Sequence, residues 1–451
     1  MARISNDDLV IRAARLVKQN QEFEEQIKRL KKQNEELSIE NELLKSAHSK
    51  SAHDKSLKFN MATVLFADIQ GFSKLVEEMD SSVIMDELDE ILREFDAIVA
   101  KYKMVKIKTI GDSYMCAGGI PAKNITNPVE VVMAAIEMRN FLENKQGKNK
   151  IWELKIGIHT GSVTATISGK KEIHYDIKGD TVNIASRIEA VSEHSDILIS
   201  VMTYELVKEF FDCEYYGKLP VKYKGDLQMF KVKGLKTELS VNGLGMTAND
   251  AFRVKFGLIQ FTDIQEIILD KLEKELPDYL YYHNVKHTID VVTEVELIGW
   301  GEGCSDEEIL LLKTAALFHD AGHTVAYDNH EFHGTQLARE ILPVYNYTPK
   351  QIDAICEIIM ATKLPPKPAN MLESIICDSD LDYLGRSDFI PVSNTLYEEL
   401  KAQNKIGSFN DWNKLQVKFI SGHQYFTKTA RRLREVNKQQ QIKRIQSLIE
   451  E

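Results

Sequence analysis

Over residues 6–45 apolar positions recur in a seven-residue pattern: Leu9, Leu16, Phe23, Leu30, Leu37 and Leu44 on one seam position, Ala13, Asn20, Ile27, Asn34 and Asn41 on the other. This heptad series predicts a coiled coil. The seam asparagines predict two parallel strands, because each buried amide is satisfied by its counterpart across the pair. The polar stretch Ser46 to Ser56 reads either as a connector or as a continuation of that helix. The period then changes. Met61 to Ala67 reads as an apolar strand, and Val105, Ile107, Thr109 then Ser113, Met115, Ala117 as two alternating strands meeting at a Gly111-Asp112 turn. A strand pair is expected at Leu154 to His159 and Val163 to Ile167, and a helix from near Thr181. The Gly/Asn-rich LSVNGLGMTAND reads as a linker, and a largely helical region follows from about Asp263.

At 451 residues the chain has room for two or three domains. Five scattered cysteines, with no CxxC pair, suit a reducing cytoplasm and argue against a disulfide framework or a thiolate zinc site. The net charge of -11 argues against nucleic acid as a partner. No apolar run approaches the ~20 residues that span a bilayer, and no signal peptide is visible. The basic run Lys428 to Lys443 is expected to be a solvated helix.

The chemistry sits at strand ends. Asp68 closes the strand of FADIQGF, where Gly71 lets the backbone approach a ligand, and Asp112 sits at the hairpin tip in KTIGDSY. Two such carboxylates suit a pair of hard divalent cations clamping a polyphosphate. With a third motif, YDIKGDTVNIASR, the stretch from about Phe59 to Lys236 resembles the class III adenylyl/guanylyl cyclases. The resemblance implies an α+β, ferredoxin-like βαββαβ core and cyclisation of a nucleoside triphosphate to its 3',5'-cyclic monophosphate. It also implies that Asp68 and Asp112, helped by the Ile69 carbonyl, hold two Mg2+ or Mn2+ per site, and that Phe72 lies in the substrate site. Asn183 and Arg187, one helical turn apart, would orient the ribose and neutralise the transferring phosphoryl group. In the family the two halves of each site come from different protomers, so a head-to-tail homodimer with two interfacial sites is implied. Lys108 can donate to purine N1 and Asp176 can accept from the exocyclic N6 amine, the adenylyl pattern, so ATP is the expected substrate. Lys222 matches the family lysine on the terminal phosphates, but Tyr223 stands where Gly is usual, which leaves Lys224 as a rival.

Six of the twelve histidines fall between 283 and 333, in YYHNVKHTIDVV, ALFHDAGH and NHEFH, and CDSDLDYLG follows. His283 and His287 share a helix face, and His319-Asp320 supply adjacent nitrogen and oxygen ligands. From about Phe261 to Phe426 the chain resembles the HD superfamily of metal-dependent phosphohydrolases, and its YHNxxHTxDV stretch the class I cyclic-nucleotide phosphodiesterases. The resemblance implies that His287, His319, Asp320 and Asp380 bind a first divalent metal (Zn, Fe, Mn or Mg), with Asp320 bridging to a second. His283 would protonate the leaving oxygen, and His323 would sit near the nucleophile. Asp378 competes with Asp380, and His330, Glu331 and His333 are candidates for the outer shell.

The expected architecture is therefore multidomain: a parallel coiled coil and connector (1–56), an α+β class III cyclase domain (57–240), a linker (241–262), an all-α HD domain (263–430) and a basic C-terminal helix (431–451). The expected function is a cytoplasmic adenylate cyclase with an HD phosphohydrolase whose first candidate substrate is a cyclic nucleotide. The alternative is a cyclase of another nucleoside triphosphate with a regulatory, metal- or nucleotide-binding HD domain.

Overall fold

Both faces of strand β1 (Lys55–Gln70) are apolar, which is what a central strand requires. Leu65, Ala67 and Ile69 pack on one side against helix α1 (Ser81–Lys101) and helix α2 (Asn127–Gln146), while Ala62 and Val64 pack on the other. The computed structural model describes residues 55–70, 81–146, 152–168, 174–193, 195–221 and 225–449. The heptad series, Gly71, Phe72 and Lys222 to Lys224 lie outside the described residues.

The hairpin is formed by β2 (Val105–Ile110) and β3 (Ser113–Gly118), and β3 pairs antiparallel with β1. On the other side β1 pairs antiparallel with β4 (Glu153–Ser168). β4 carries β5 (His174–Lys178) along its end and runs parallel to β6 (Ile197–Ser200). β7 (Phe211–Val221) and β8 (Gly225–Leu235) complete a mixed sheet of order β2-β3-β1-β4-β6-β8-β7. The βαββαβ part is thus built around β1, flanked by β3 and β4. On α1, Ile84, Leu88, Ile91, Phe95 and Ile98 are buried at helical spacing, which fixes the face it lays on the sheet. The opposite face carries helix α3 (Asp180–Ala190). The strand pair expected at 154–159 and 163–167 is one continuous strand, whose Gly161 stands opposite Ala62 in the ladder. A short helix, α4 (Val201–Val207), follows β6.

Residues 241–262, read as a linker, contain a turn closed by pairing of Ser240 with Ala248, followed by the start of α5 (Asp250–Glu275). Asn249 organises the turn: its Oδ1 accepts from Phe252 N at 3.0 Å and its Nδ2 donates to Glu238 O at 2.9 Å. The chain divides into two compact units with the boundary between Gln260 and Phe261.

In the second unit every described element is helical: α6 (Val285–Glu302), α7 (Asp306–Phe318), α8 (His330–Ile341), α9 (Pro349–Met360), α10 (Met371–Asp380), α11 (Phe389–Ala402), α12 (Phe409–Gly422) and α13 (Lys428–Gln446). Reciprocal capping boxes, Ser305 with Glu308, Thr348 with Gln351 and Ser408 with Asp411, satisfy the orphan N–H groups that open α7, α9 and α12. The basic run expected to be solvated has a buried face. Ile442 and Ile445 of α13 pack with Leu384, Phe389 and Ile420, and Lys438 is enclosed with its Nζ on His423 O at 2.8 Å. The long aliphatic stem of a lysine can be buried in this way once its ammonium has acceptors. No helix among the described residues is long and apolar enough to cross a membrane.

Candidate active sites in the two units

In the first unit the two carboxylates come together through the backbone. Asp68 stands opposite Ser113 in the β1/β3 ladder, and Ile69 N donates to Asp112 O at 3.1 Å, tying the hairpin tip to the end of β1. Gly111 makes the turn with a φ of 62°, a left-handed conformation that glycine adopts without penalty. The Ile69 side chain is buried, anchoring the strand end whose carbonyl was expected at the metals. A third carboxylate lies beside the pair. Burial, with the charge of Asp68 and, behind the opposing Lys155, that of Asp112, pushes Glu189 of α3 up to about 7. Nothing in the motif marked Glu189; its proximity follows from α3 lying across β4.

On α3, Thr181, Ile184, Ala185 and Ile188 are buried, while Asn183 and Arg187 are exposed on a face turned away from that contact. The candidate base readers are also exposed: Lys108 on the outward positions of β2, and Asp176 on β5, where Lys178 Nζ stands 3.6 Å from Asp176 Oδ2.

The second unit holds a tighter cluster. Asn284 caps α6, its side chain accepting from His287 N at 3.2 Å, and so places His287 in the first turn. His319 closes α7 and Asp380 ends α10. His319 Nδ1 faces Ala316 O at 2.7 Å and must donate there, so Nε2 is the nitrogen turned into the cluster and carries the lone pair once the ring is neutral. His287 Nε2 lies 3.4 Å from His319 Nε2 and 3.1 Å from Asp380 Oδ1. Asp320 Oδ2 is 3.2 Å from His319 Nε2 and 3.4 Å from His287 Nε2, yet it is buried without a hydrogen bond of acceptable geometry. Ligands ~2.1 Å from one ion stand about 3.0 Å apart at right angles and about 3.4 Å apart in a tetrahedron. The separations from His287 Nε2 and His319 Nε2 to one another and to Asp320 Oδ2 and Asp380 Oδ1, 3.1–3.6 Å, are close to that spacing, so the residues fit a divalent metal.

Beside it lies a second group, His283, Asp320 and His323, whose donor atoms fall within 4.8 Å of one another. His330 joins it, with Nε2 3.5 Å from Asp320 Oδ1 and its ring stacked on His323 at 3.9 Å. Glu331 is buried with Oε1 3.7 Å from His330 Nε2, whereas His333 packs edge-on to Phe332. Both ring nitrogens of His323 are buried and unpartnered, and burial pushes it down to about 3, so it is a neutral donor. Asp378, the rival to Asp380, is engaged elsewhere: it accepts from Phe426 N at 2.9 Å and from Thr427 N and Oγ1 at 2.7 Å, fixing the residue Thr427 that caps α13.

Glu399, which the sequence did not single out, is wholly buried on α11 and holds His283 in place. Its Oε1 pairs with His283 Nδ1 at 2.5 Å, and its Oε2 accepts from Tyr282 N at 2.9 Å and His283 N at 3.1 Å. Burial works against a charged His283, but the bond to Glu399 and the charges of Asp320 and Asp380 outweigh it and raise the imidazole. A cavity of about 550 Å³ with largely apolar walls, among them Leu364, Phe419 and Phe426, is reached by Leu381, the residue after Asp380.

Two families match the chain: Adenylate and Guanylate cyclase catalytic domain over residues 55–234, and HD domain over residues 284–386. An adenylate cyclase of Mycobacterium tuberculosis is 32% identical over 180 residues, 40% of this chain and 41% of that protein. A receptor-type guanylate cyclase, gcy-8, of Caenorhabditis elegans is 34% identical over 187 residues, 40% of this chain and 16% of that protein. The chain therefore spans well under half the length of these curated relatives. Among solved structures, the adenylyl cyclase CyaB from P. aeruginosa is 33% identical, covering 40% of this chain and 95% of its own, with a TM-score of 0.36. With carboxylates tied across β1 and the hairpin in one unit and a His/Asp centre in the other, the chain carries a class III nucleotidyl cyclase catalytic domain followed by an HD domain.

Proposed function

We propose that the chain is an adenylate cyclase that works as a head-to-tail homodimer, with an HD domain that hydrolyses a phosphate ester. The observation that carries the cyclase reading is the presence on one chain of both Asp68-Asp112, tied together across β1 and the hairpin, and Asn183-Arg187, exposed on α3. Asp68, Asp112 and the Ile69 carbonyl would hold two Mg2+ or Mn2+, which supply charge neutralisation on the triphosphate and a more acidic ribose hydroxyl. The ribose 3'-oxygen then bonds to the α-phosphorus and pyrophosphate leaves. Arg187 of the other protomer stabilises the charge that develops on the phosphoryl oxygens, and Asn183 holds the ribose. Lys222 and Phe72 complete the substrate contacts in this reading. Incubating the purified chain with each nucleoside triphosphate, with and without chelator, and weighing the products tests it.

ATP selectivity is assigned to Lys108 and Asp176. A buried polar group left unpaired by the wrong base costs about 1–3 kcal/mol, so GTP is expected to be the poorer substrate by roughly tenfold per lost contact. Lys108→Glu with Asp176→Cys should lower ATP turnover and narrow the gap, read as the ratio of kcat/KM for the two nucleotides. Equal use of both by the unaltered chain would overturn the assignment.

In the HD domain, His287, His319, Asp320 and Asp380 would hold one divalent ion and Asp320 would bridge to a second, with His323 beside it. When bound, the ions would supply the Lewis acidity that makes water a nucleophile at neutral pH. His283, positioned by Glu399, donates its proton to the departing oxygen. Because Glu399 raises His283 and the acid acts protonated, hydrolysis should fall as pH climbs through the raised value. Glu399→Gln should move that limb to lower pH, visible in the kcat profile. An unshifted limb would remove Glu399 from the proton transfer.

A further inference from the structure

At two positions helix α3 comes down onto the bare backbone of β4. Gly157 and Gly161 are four residues apart on a strand and so share a face. A Cβ at Gly157 would lie inside the contact distance of Glu189 N and 2.6 Å from Ala185 O. A Cβ at Gly161 would lie 2.6 Å from Thr181 Oγ1. Neither glycine has the left-handed φ that would itself demand glycine, so what each supplies is room. The contacted atoms bracket Asn183 and Arg187: Thr181 in the first turn, where Oγ1 donates to Ser162 O at 2.7 Å, and the turn from Ala185 to Glu189. Gly157 is itself fixed in the middle of the sheet, opposite Phe66 on one side and Leu198 on the other. The strand cannot recede, so any added atom displaces the helix.

We propose that Gly157 and Gly161 are positioning residues of the cyclase reaction: by letting α3 dock on bare backbone they set where Asn183 and Arg187 are presented to the partner's half-site. This rests on the reading of Asn183 and Arg187 as the groups that act on substrate in trans. It accounts for a strand that interrupts its apolar pattern twice under one helix.

The test uses the full-length chain. Gly161→Ala is expected to cut kcat about 10²-fold, the cost of a displacement near 1 Å at a reacting centre, while KM for ATP changes little. Adding Thr181→Ala removes the blocking Oγ1 and leaves the Thr181 Cβ position at 3.6 Å, an ordinary contact, so the double variant should recover to the level of Thr181→Ala alone. Gly157→Ala meets main-chain atoms, so no such repair exists and its loss should be the larger. In mixed dimers Gly161→Ala should restore activity to Asp68→Asn, to which it lends intact metal ligands, and fail to restore it to Arg187→Ala. A Gly161→Ala chain with unchanged kcat, a double variant no better than Gly161→Ala, or failure to complement Asp68→Asn despite confirmed heterodimers would overturn the proposal. Mixing Asp68→Asn with Arg187→Ala serves as the control: if that pair recovers nothing, the shared-site reading falls, while the repair by Thr181→Ala still decides the cradle.

Discussion

A chain with Asp68→Asn and a chain with Arg187→Ala, each nearly inactive alone, are expected to regain cyclase activity when coexpressed. Asp68→Asn weakens the hold on both cations at the junction of β1 and the hairpin. Arg187→Ala removes a charge that acts as the phosphoryl group moves, a loss of about 10²–10³-fold by analogy with other transition-state donors. In a heterodimer with two-fold related sites, one site takes Asp68 from the Arg187→Ala chain and Arg187 from the Asp68→Asn chain, and is whole. Random pairing of equal amounts gives about a quarter of the full set of intact sites. The exposure of Asn183 and Arg187, on a helix whose other face is buried against its own sheet, is what this exchange needs. No recovery from confirmed heterodimers would mean that each chain builds its site alone.

Gly157→Ala and Gly161→Ala bear on the same helix from beneath, and Glu189 belongs to that helix too. One end of a short helix presents Asn183 and Arg187 outward, while Glu189, two residues on, lies near the Asp68 and Asp112 charges of its own chain.

The hairpin and the α3 helix were legible because each rests on a local period: alternation about a Gly-Asp turn and apolar spacing around Asn183. His283 and His287 were expected on one helix face, but α6 begins at Val285 with Asn284 as its cap, so only His287 lies on the helix and His283 reaches the cluster from the segment before it. β4 was misread as two strands because Gly161-Ser162 has the composition of a turn. Its partner β1 carries an irregularity between Phe59 and Ala62 that lets the ladder continue, and that is a property of the pair. Glu399 left no trace because it meets His283 across 116 residues of sequence and belongs to no motif. Asp378 and Asp380 differ only in direction at the end of α10, one turned to the start of α13 and the other to His287. Spacing could favour one of them, and only the packing of α13 gives the other a structural task.

Asp320→Ala is expected to strip metal from the HD domain and abolish its hydrolysis, whereas His283→Ala should keep the metal and lose ~10²–10⁴-fold in rate, the usual share of a general acid. The difference follows from geometry. Asp320 Oδ2 faces His287 and His319 Nε2, and Asp320 Oδ1 faces His330, so one carboxylate serves both candidate positions. His283 instead points its Nδ1 away, to Glu399. Metal content by elemental analysis separates the two variants before any substrate is tried. Binding should also release protons: burial disfavours a charged His319, yet Asp320 and Asp380 hold it well above the ordinary histidine value, and it must become neutral to ligate. Calorimetric titration of the metal-depleted chain in buffers of different ionisation enthalpy reads that release directly, and Asp320→Ala should diminish it. Cyclase activity should survive both substitutions if the two domains act independently. If the metal-replete chain hydrolyses neither cyclic nucleotides nor a panel of phosphate monoesters and diesters, yet binds metal with this proton release, the centre is a regulatory metal site and the acid assigned to His283 has no reaction to serve.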